Sequence, residues 1–206
     1  MTINKNRLQL LVATKNDGKV GELKNLLADL PIELKSLSDF PLLRQVEETG
    51  ETFTENAALK ASGYARQTGL WSLADDSGLE VAALDGAPGV FSARYAGEKA
   101  DDRENIEKLL RELGRNGDEI RAARFVCAMT IADDAGEIVF TAEDFCNGTI
   151  IDAPRGANGF GYDPVFVPVG YAETFGELPA SVKQKISHRG RAAGKIIQYL
   201  RDFIAV

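Results

Sequence analysis

Apolar and polar positions alternate along this chain with two periods, and these divide it into helices and strands. Leu8 to Ala13 reads as a buried strand. Asn16 and Asp17 then offer a helix cap. Val20, Leu23, Leu27 and Leu30 follow at helical spacing until Pro31 stops the pattern. Thr52, with Glu55 three positions on, has capping-box spacing. Ala57, Ala61, Tyr64 and Ala65 carry that helix to about Gly69. Trp71 to Ala74 and Leu79 to Ala83 read as two short strands flanking an acidic turn at Asp75, Asp76, Ser77 and Gly78. Asp101 or Asp102 caps a third helix, with Ile106, Leu109, Leu110 and Leu113 on one face and Gly114 at its end.

Ile120 to Ile131 and Ile138 to Phe145 are strand-like, and Asp133 to Gly136 is the hairpin turn between them. Thr149 to Ile151 and Val165 to Val167 continue the β pattern. A last helix runs from about Ser187 to Phe203 and buries Ile196, Tyr199, Leu200 and Phe203. Helices alternate with strands early, while a hairpin dominates late. This predicts an α/β fold with a mixed sheet. With 206 residues and no repeat, linker or low-complexity tract, the chain fits a single domain spanning 1–206.

Charge narrows the chemistry. Lys and Arg number 24 against 31 Asp and Glu, a net charge of −7. Such a surface repels polyanions, so nucleic acid and anionic membranes are not expected partners. No segment approaches the roughly 20 apolar residues of a membrane helix, and the short N-terminal apolar run predicts a strand in a cytoplasmic protein. Cys127 and Cys146 lie in strand-like segments and read as reduced, buried thiols. A small anionic ligand remains possible where basic residues converge and a metal offsets its charge.

Several segments offer such a place. Thr14-Lys15-Asn16-Asp17-Gly18-Lys19 joins a strand to a helix N-terminus, which attracts phosphate; it lacks Walker A spacing, and a capped surface helix is the plain alternative. Glu47 and Glu48 form either a solvated acidic loop or, with Asp75 and Asp76, a carboxylate clamp for Mg²⁺. Asp75 to Gly78 has the composition of a type I turn. Gly156 to Pro164 has glycines that let backbone approach a ligand, and Phe160 or Tyr162 could stack on a nucleobase or anchor the loop in the core. His188, the only histidine, pairs with Arg189 at a helix start, where both can donate to a carbonyl or phosphate. No Ser-His-Asp signature is present.

In combination and order these segments resemble one family closely, the inosine/xanthosine triphosphate pyrophosphatases. The blocks are Val12 to Lys19, Glu47 to Gly50 with Phe53 and Glu55 to Ala57, Ala74 to Leu79, Gly86 to Gly89 through Ser92 to Tyr95, Gly159 to Pro164, and Ser187 to Gly190. The resemblance implies an elongated, two-lobed mixed α/β fold with a central nucleotide cleft, and a homodimer. It implies Mg²⁺-dependent hydrolysis of deaminated purine nucleoside triphosphates (ITP, dITP, XTP) to monophosphate and pyrophosphate. Carried over by position, Thr14, Asn16 and Lys19 hold the phosphates, within a substrate-binding segment that also takes in Lys15, Asp17 and Gly18. Glu48 and Asp76 bind metal, and Asp76 also activates water. Ser77 contacts substrate. Phe160 stacks on the base with Gly161, Tyr162 and Asp163 completing that wall, and Lys183, His188 and Arg189 bind base and phosphates. The family commonly has glycine where Lys15 stands; a positive φ there would strain lysine, or its ammonium could add a phosphate contact. The rival readings are a nucleotide-binding sensor without hydrolytic activity and a phosphohydrolase that releases inorganic phosphate.

Overall fold

The computed structural model describes residues 7–115 and 121–205. Six strands form one sheet in the order β2-β1-β3-β4-β5-β6. They are β1 (Gln9–Val12), β2 (Glu33–Ser36), β3 (Trp71–Val81), β4 (Ala122–Ala132), β5 (Ile138–Ile150) and β6 (Phe166–Pro168). β1 pairs in parallel with both β2 and β3, with Val12 opposite Ser36 and Leu73, whereas β5 and β6 are antiparallel. The sheet is therefore mixed, as the hydrophobic pattern predicts. The helices are α1 (Asp17–Leu26), α2 (Phe53–Thr68), α3 (Asp102–Arg115), α4 (Ala180–Ile186) and α5 (His188–Ile204). Among the described residues no helix is long and apolar enough to cross a membrane.

The chain divides into two compact units. The first takes the chain up to Asp76, Ala128–Glu143 and the chain from Ala192; the second takes Ser77–Cys127 and Asp144–Arg191. In the first, Leu11 and Ala74 of the sheet and Ala13, just past β1, pack with Ala61, Tyr64 and Ala65 of α2. Small side chains let this helix lie close to the strands. In the second, α3 contributes Ile106, Leu109 and Leu113 to a core shared with Phe125, Tyr162, Phe166 and Phe175.

Local sequence explains the helix ends. Asn16 caps α1, its Oδ1 accepting from Lys19 N at 3.0 Å. Thr52 and Glu55 form the reciprocal capping box on α2, and Gly69 closes that helix in the left-handed region at φ 65°. Asp101, rather than Asp102, caps α3, accepting from Glu104 N at 2.8 Å while Glu104 accepts from Asp101 N.

The structure corrects the expected pattern in several places. The two short strands and acidic turn predicted between Trp71 and Ala83 are one strand that continues through Asp75, Asp76, Ser77 and Gly78. Its side chains are buried on both faces, and lysines neutralise the two acids, so the chain need not turn out to water. Gly114 lies inside α3 rather than beyond it. β5 continues to Ile150, five residues past Phe145, and absorbs the segment read as a separate strand from Thr149. Phe203 stays 46% exposed while its ring sits 4.5 Å from Trp71. β2 and α4 are additional elements. Ile120, the predicted start of β4, lies outside the described residues. Lys15 has no positive φ, so the expected strain does not arise; among described non-glycine residues only Asp85 has one. Cys127 and Cys146 are both buried and neither is in a disulfide, as predicted.

Candidate active site

In the first unit, charged side chains from four segments converge. The first turn of α1 supplies Lys19, the loop before α2 supplies Glu48, α2 supplies Lys60 and β3 supplies Asp75 and Asp76. Lys19 Nζ lies 2.6 Å from Asp75 Oδ1, and the Asp75 side chain has no exposed surface. Lys60 Nζ donates to Glu48 Oε2 at 2.8 Å and to Asp76 Oδ1 at 2.7 Å. Successive strand side chains point to opposite faces, and here one acid meets α1 while the next meets α2.

The Glu48 loop is held close by its neighbours. Asn56 Oδ1 accepts from Gly50 N at 2.8 Å, and Asn56 Nδ2 donates to Gly50 O. At Gly63 of α2 a β-carbon would lie 2.7 Å from Val46 Cγ2, so only glycine lets the loop approach this near. Lys15 Nζ donates to Gln45 Oε1 at 2.9 Å, linking the same loop to the β1–α1 turn. Thr14 Oγ1 accepts from Asn16 N within that turn.

This packing separates the carboxyl groups electrostatically. Burial dominates at Asp76 and lifts its pKa to about 6, although Lys60 and Lys19 pull the other way. Burial is also the largest influence on Glu48 and raises it, but the Lys60 charge, hydrogen bonds to Lys60 and Asp76 and the Lys19 charge together outweigh it and leave the carboxyl below the usual glutamate value. Burial lowers Lys60, yet Asp76 and Glu48 more than compensate and hold it above the ordinary lysine range. One carboxylate is thus held below its ordinary pKa beside another raised to about 6. The two oxygens that meet at Lys60 are the donors this cluster offers a hard divalent ion. Two carboxylates suit Mg²⁺, which fills its remaining positions with water and phosphate oxygens. Among the described residues no group of three His, Cys, Asp or Glu side chains gathers as an all-protein cage.

The second unit gathers a different chemistry. Phe160 lies on the loop before the 3₁₀ turn Asp163–Val165. Lys183 Nζ stands 4.7 Å from the Phe160 ring centre and the Arg189 guanidinium 5.5 Å, both at cation–π distance. Arg189 is only 2% exposed, and its Nη2 donates to Ser77 Oγ at 2.7 Å. Lys183, on α4, donates to Asp163 Oδ2 at 2.6 Å, and the pair is almost wholly buried. His188 opens α5 and its ring stacks on Phe125, 4.7 Å between centres and 10° from parallel. Ser187 Oγ accepts from Gly190 N at that helix start.

Of the residues singled out from the sequence, Lys19, Glu48 and Asp76 share the first cluster; Ser77, Phe160, Asp163, Lys183 and Arg189 share the second. Tyr162 is buried, which pushes its hydroxyl above its usual pKa, and that hydroxyl donates to Ser92 O at 2.9 Å as an anchoring contact. Asp17 and Gly18 are the first two residues of α1, where an acid suits the helix dipole. Lys60 was not anticipated, although a signal existed. It shares the helical face of Ala57, Ala61 and Tyr64, and a lysine on a buried face calls for a buried partner.

The two clusters lie in a chain whose residues 10–199 match the Ham1 family. A dITP/XTP pyrophosphatase of Bacillus cereus is 50% identical over 199 residues, covering 96% of this chain and 97% of the relative. The chain belongs to the Ham1 family. A solved HAM1 protein of Coxiella burnetii superposes with a TM-score of 0.87 at 42% identity, covering 95% of this chain and 99% of that one. A nucleoside-triphosphatase, or dITP/XTP pyrophosphatase, of Mycobacterium abscessus gives 0.74 at 44% identity over 92% and 98%. The mixed α/β fold is thus the Ham1 fold, and the Lys60 cluster and the Phe160 cluster lie within the stretch that matches.

Proposed function

We propose that this chain hydrolyses deaminated purine nucleoside triphosphates, ITP, dITP and XTP, to the monophosphate and pyrophosphate with Mg²⁺. The observation that carries the reading is Lys60 bridging Glu48 and Asp76, with Lys19 charge beside them. Carboxylates and lysines intermixed in this way match what a triphosphate and its metal need. The half-identity to a dITP/XTP pyrophosphatase along nearly the whole chain supports the substrate class.

In this reading Glu48 and Asp76 hold Mg²⁺, which when bound neutralises phosphate charge and acidifies water. Thr14, Lys15, Asn16 and the first turn of α1 bind the phosphate tail, and Lys19 and Lys60 offset its charge. Asp76, with its pKa near 6, accepts the proton of the attacking water. In the second unit Phe160 stacks on the base, and Gly161, Tyr162 and Asp163 shape the wall around it. Lys183, His188 and Arg189 donate to base and phosphate, while Ser77, bonded to Arg189, contacts the substrate. A 6-carbonyl accepts such donors. An adenine amino group would leave buried donors unpaired, so adenine is rejected. Two buried cysteines outside any disulfide fit a reducing cytoplasm. The homodimer belongs to the same proposal.

Separate detection of pyrophosphate and phosphate across ITP, dITP, XTP, ATP and GTP tests this. Pyrophosphate from the first three, dependent on Mg²⁺, is expected. Asp76→Asn should then lose about 10²- to 10⁴-fold in kcat, the usual worth of a general base, while the fold and ITP binding persist. Inorganic phosphate as the sole product would replace the reading with a phosphohydrolase. Tight ITP binding without turnover would replace it with a sensor.

A further inference from the structure

The loop that carries Phe160 is held by two carboxylates from opposite directions. From inside, Asp163 Oδ2 accepts from Phe160 N at 2.9 Å while it also accepts from Lys183. Gly159, at φ 75°, wraps this acid so tightly that a β-carbon there would collide with Asp163 Oδ2. From outside, Asp102 Oδ2 accepts from Gly161 N at 2.6 Å. The two amides gripped are consecutive, and Phe160 is the residue between their anchors.

Asp102 is released for this contact by its neighbour. Asp101 and Glu104 complete the N-terminal cap of α3 between themselves, so the cap does not use the Asp102 side chain. The first turns of α3 and the 156–161 loop are walls of a cavity of about 710 Å³, lined by Ile106, Glu107 and Leu110 on one side and by Asn158, Gly159 and Phe160 on the other. Asp102 and Gly161 both line that space, and their hydrogen bond joins the two walls.

We propose that Asp102 is a positioning residue for the base: it fixes the Phe160 loop from α3 and so sets base affinity, without touching substrate or taking part in the chemical step. This rests on the assignment of Phe160 to base stacking under the proposed function. A hydrogen bond to a charged acceptor is strong enough that its loss reads as about tenfold in an equilibrium. Asp102→Ala should therefore raise KM for ITP about tenfold and leave kcat within about twofold. Asp102→Asn, which keeps an acceptor oxygen, should restore KM. Asp101→Ala weakens the same helix start by removing its cap and should lower thermal stability with KM unchanged.

Backbone amide exchange gives a readout that needs no turnover. The Gly161 amide should exchange at least about tenfold faster in Asp102→Ala than in the native protein or in Asp101→Ala. Unchanged Gly161 protection and unchanged KM in Asp102→Ala would overturn the inference. So would a KM rise in Asp101→Ala equal to that in Asp102→Ala, since the effect would then be helix stability alone. If the native protein does not turn over ITP, the functional reading fails, and amide exchange still decides whether Asp102 holds the loop.

Discussion

Lys60 Nζ touches Glu48 and Asp76 at once, at 2.8 and 2.7 Å, and its charge decides what those acids can do. Removing one member of a buried charge group leaves the rest uncompensated, which usually costs about 3–5 kcal/mol. Lys60→Met keeps the length and apolar stem of the side chain and removes only its charge. It should therefore lower the unfolding free energy of the metal-free protein by about 3 kcal/mol near neutral pH. Millimolar Mg²⁺ should return part of this, because a divalent ion takes the place of the ammonium between the carboxylates. Urea denaturation of native and Lys60→Met proteins with and without Mg²⁺ reads both effects. Equal stability of the two proteins without metal would mean that Lys60 is not what balances these acids.

At the scale of elements, α2 delivers Lys60, and its N-terminus is fixed by the Thr52–Glu55 capping box. Thr52→Ala removes an acceptor from Glu55 N and should lower unfolding free energy by about 1 kcal/mol, measured by thermal or urea denaturation. That helix was legible because its start, its stop at Gly69 and its alanine face are local signals. The β4–β5 turn was legible for the same reason, with Gly136 supplying a φ of 83°. β3 was not. Asp, Asp, Ser and Gly in succession favour a turn when only neighbours are considered. The strand persists because Lys19 of α1 and Lys60 of α2 reach Asp75 and Asp76. Those lysines are far away in sequence, so spacing along the chain carries no trace of the pairing. α4 escaped because seven residues make too few turns to show a period. The candidate site was legible as ordered blocks, while Lys60, joined to them only through packing, was not.

For the whole molecule, a net charge of −7 coexists with buried cations at Lys60, Lys183 and Arg189 and a partly buried one at Lys19. In the first cluster the carboxyl groups of Glu48, Asp75 and Asp76 outnumber the ammonium groups of Lys19 and Lys60, so stability there is linked to both pH and Mg²⁺. Burial holds Asp76 at about pKa 6, above its ordinary 3.8, so the fold favours the protonated form. The sign follows from that shift. In metal-free protein this stabilising contribution is complete below about pH 4 and is lost as pH rises through 6. Glu48 is shifted the other way, below its ordinary value. Mg²⁺ needs both carboxylates ionised. Below pH 6 it must displace the Asp76 proton, and its apparent affinity falls about tenfold per pH unit. Binding to the folded state alone raises stability by mass action. The rise in Tm on adding millimolar Mg²⁺ should therefore be larger at about pH 8 than at about pH 5. The gap should shrink in Asp76→Asn, which has no proton to displace. Equal rises at both pH values in the native protein would show that Asp76 does not hold the ion.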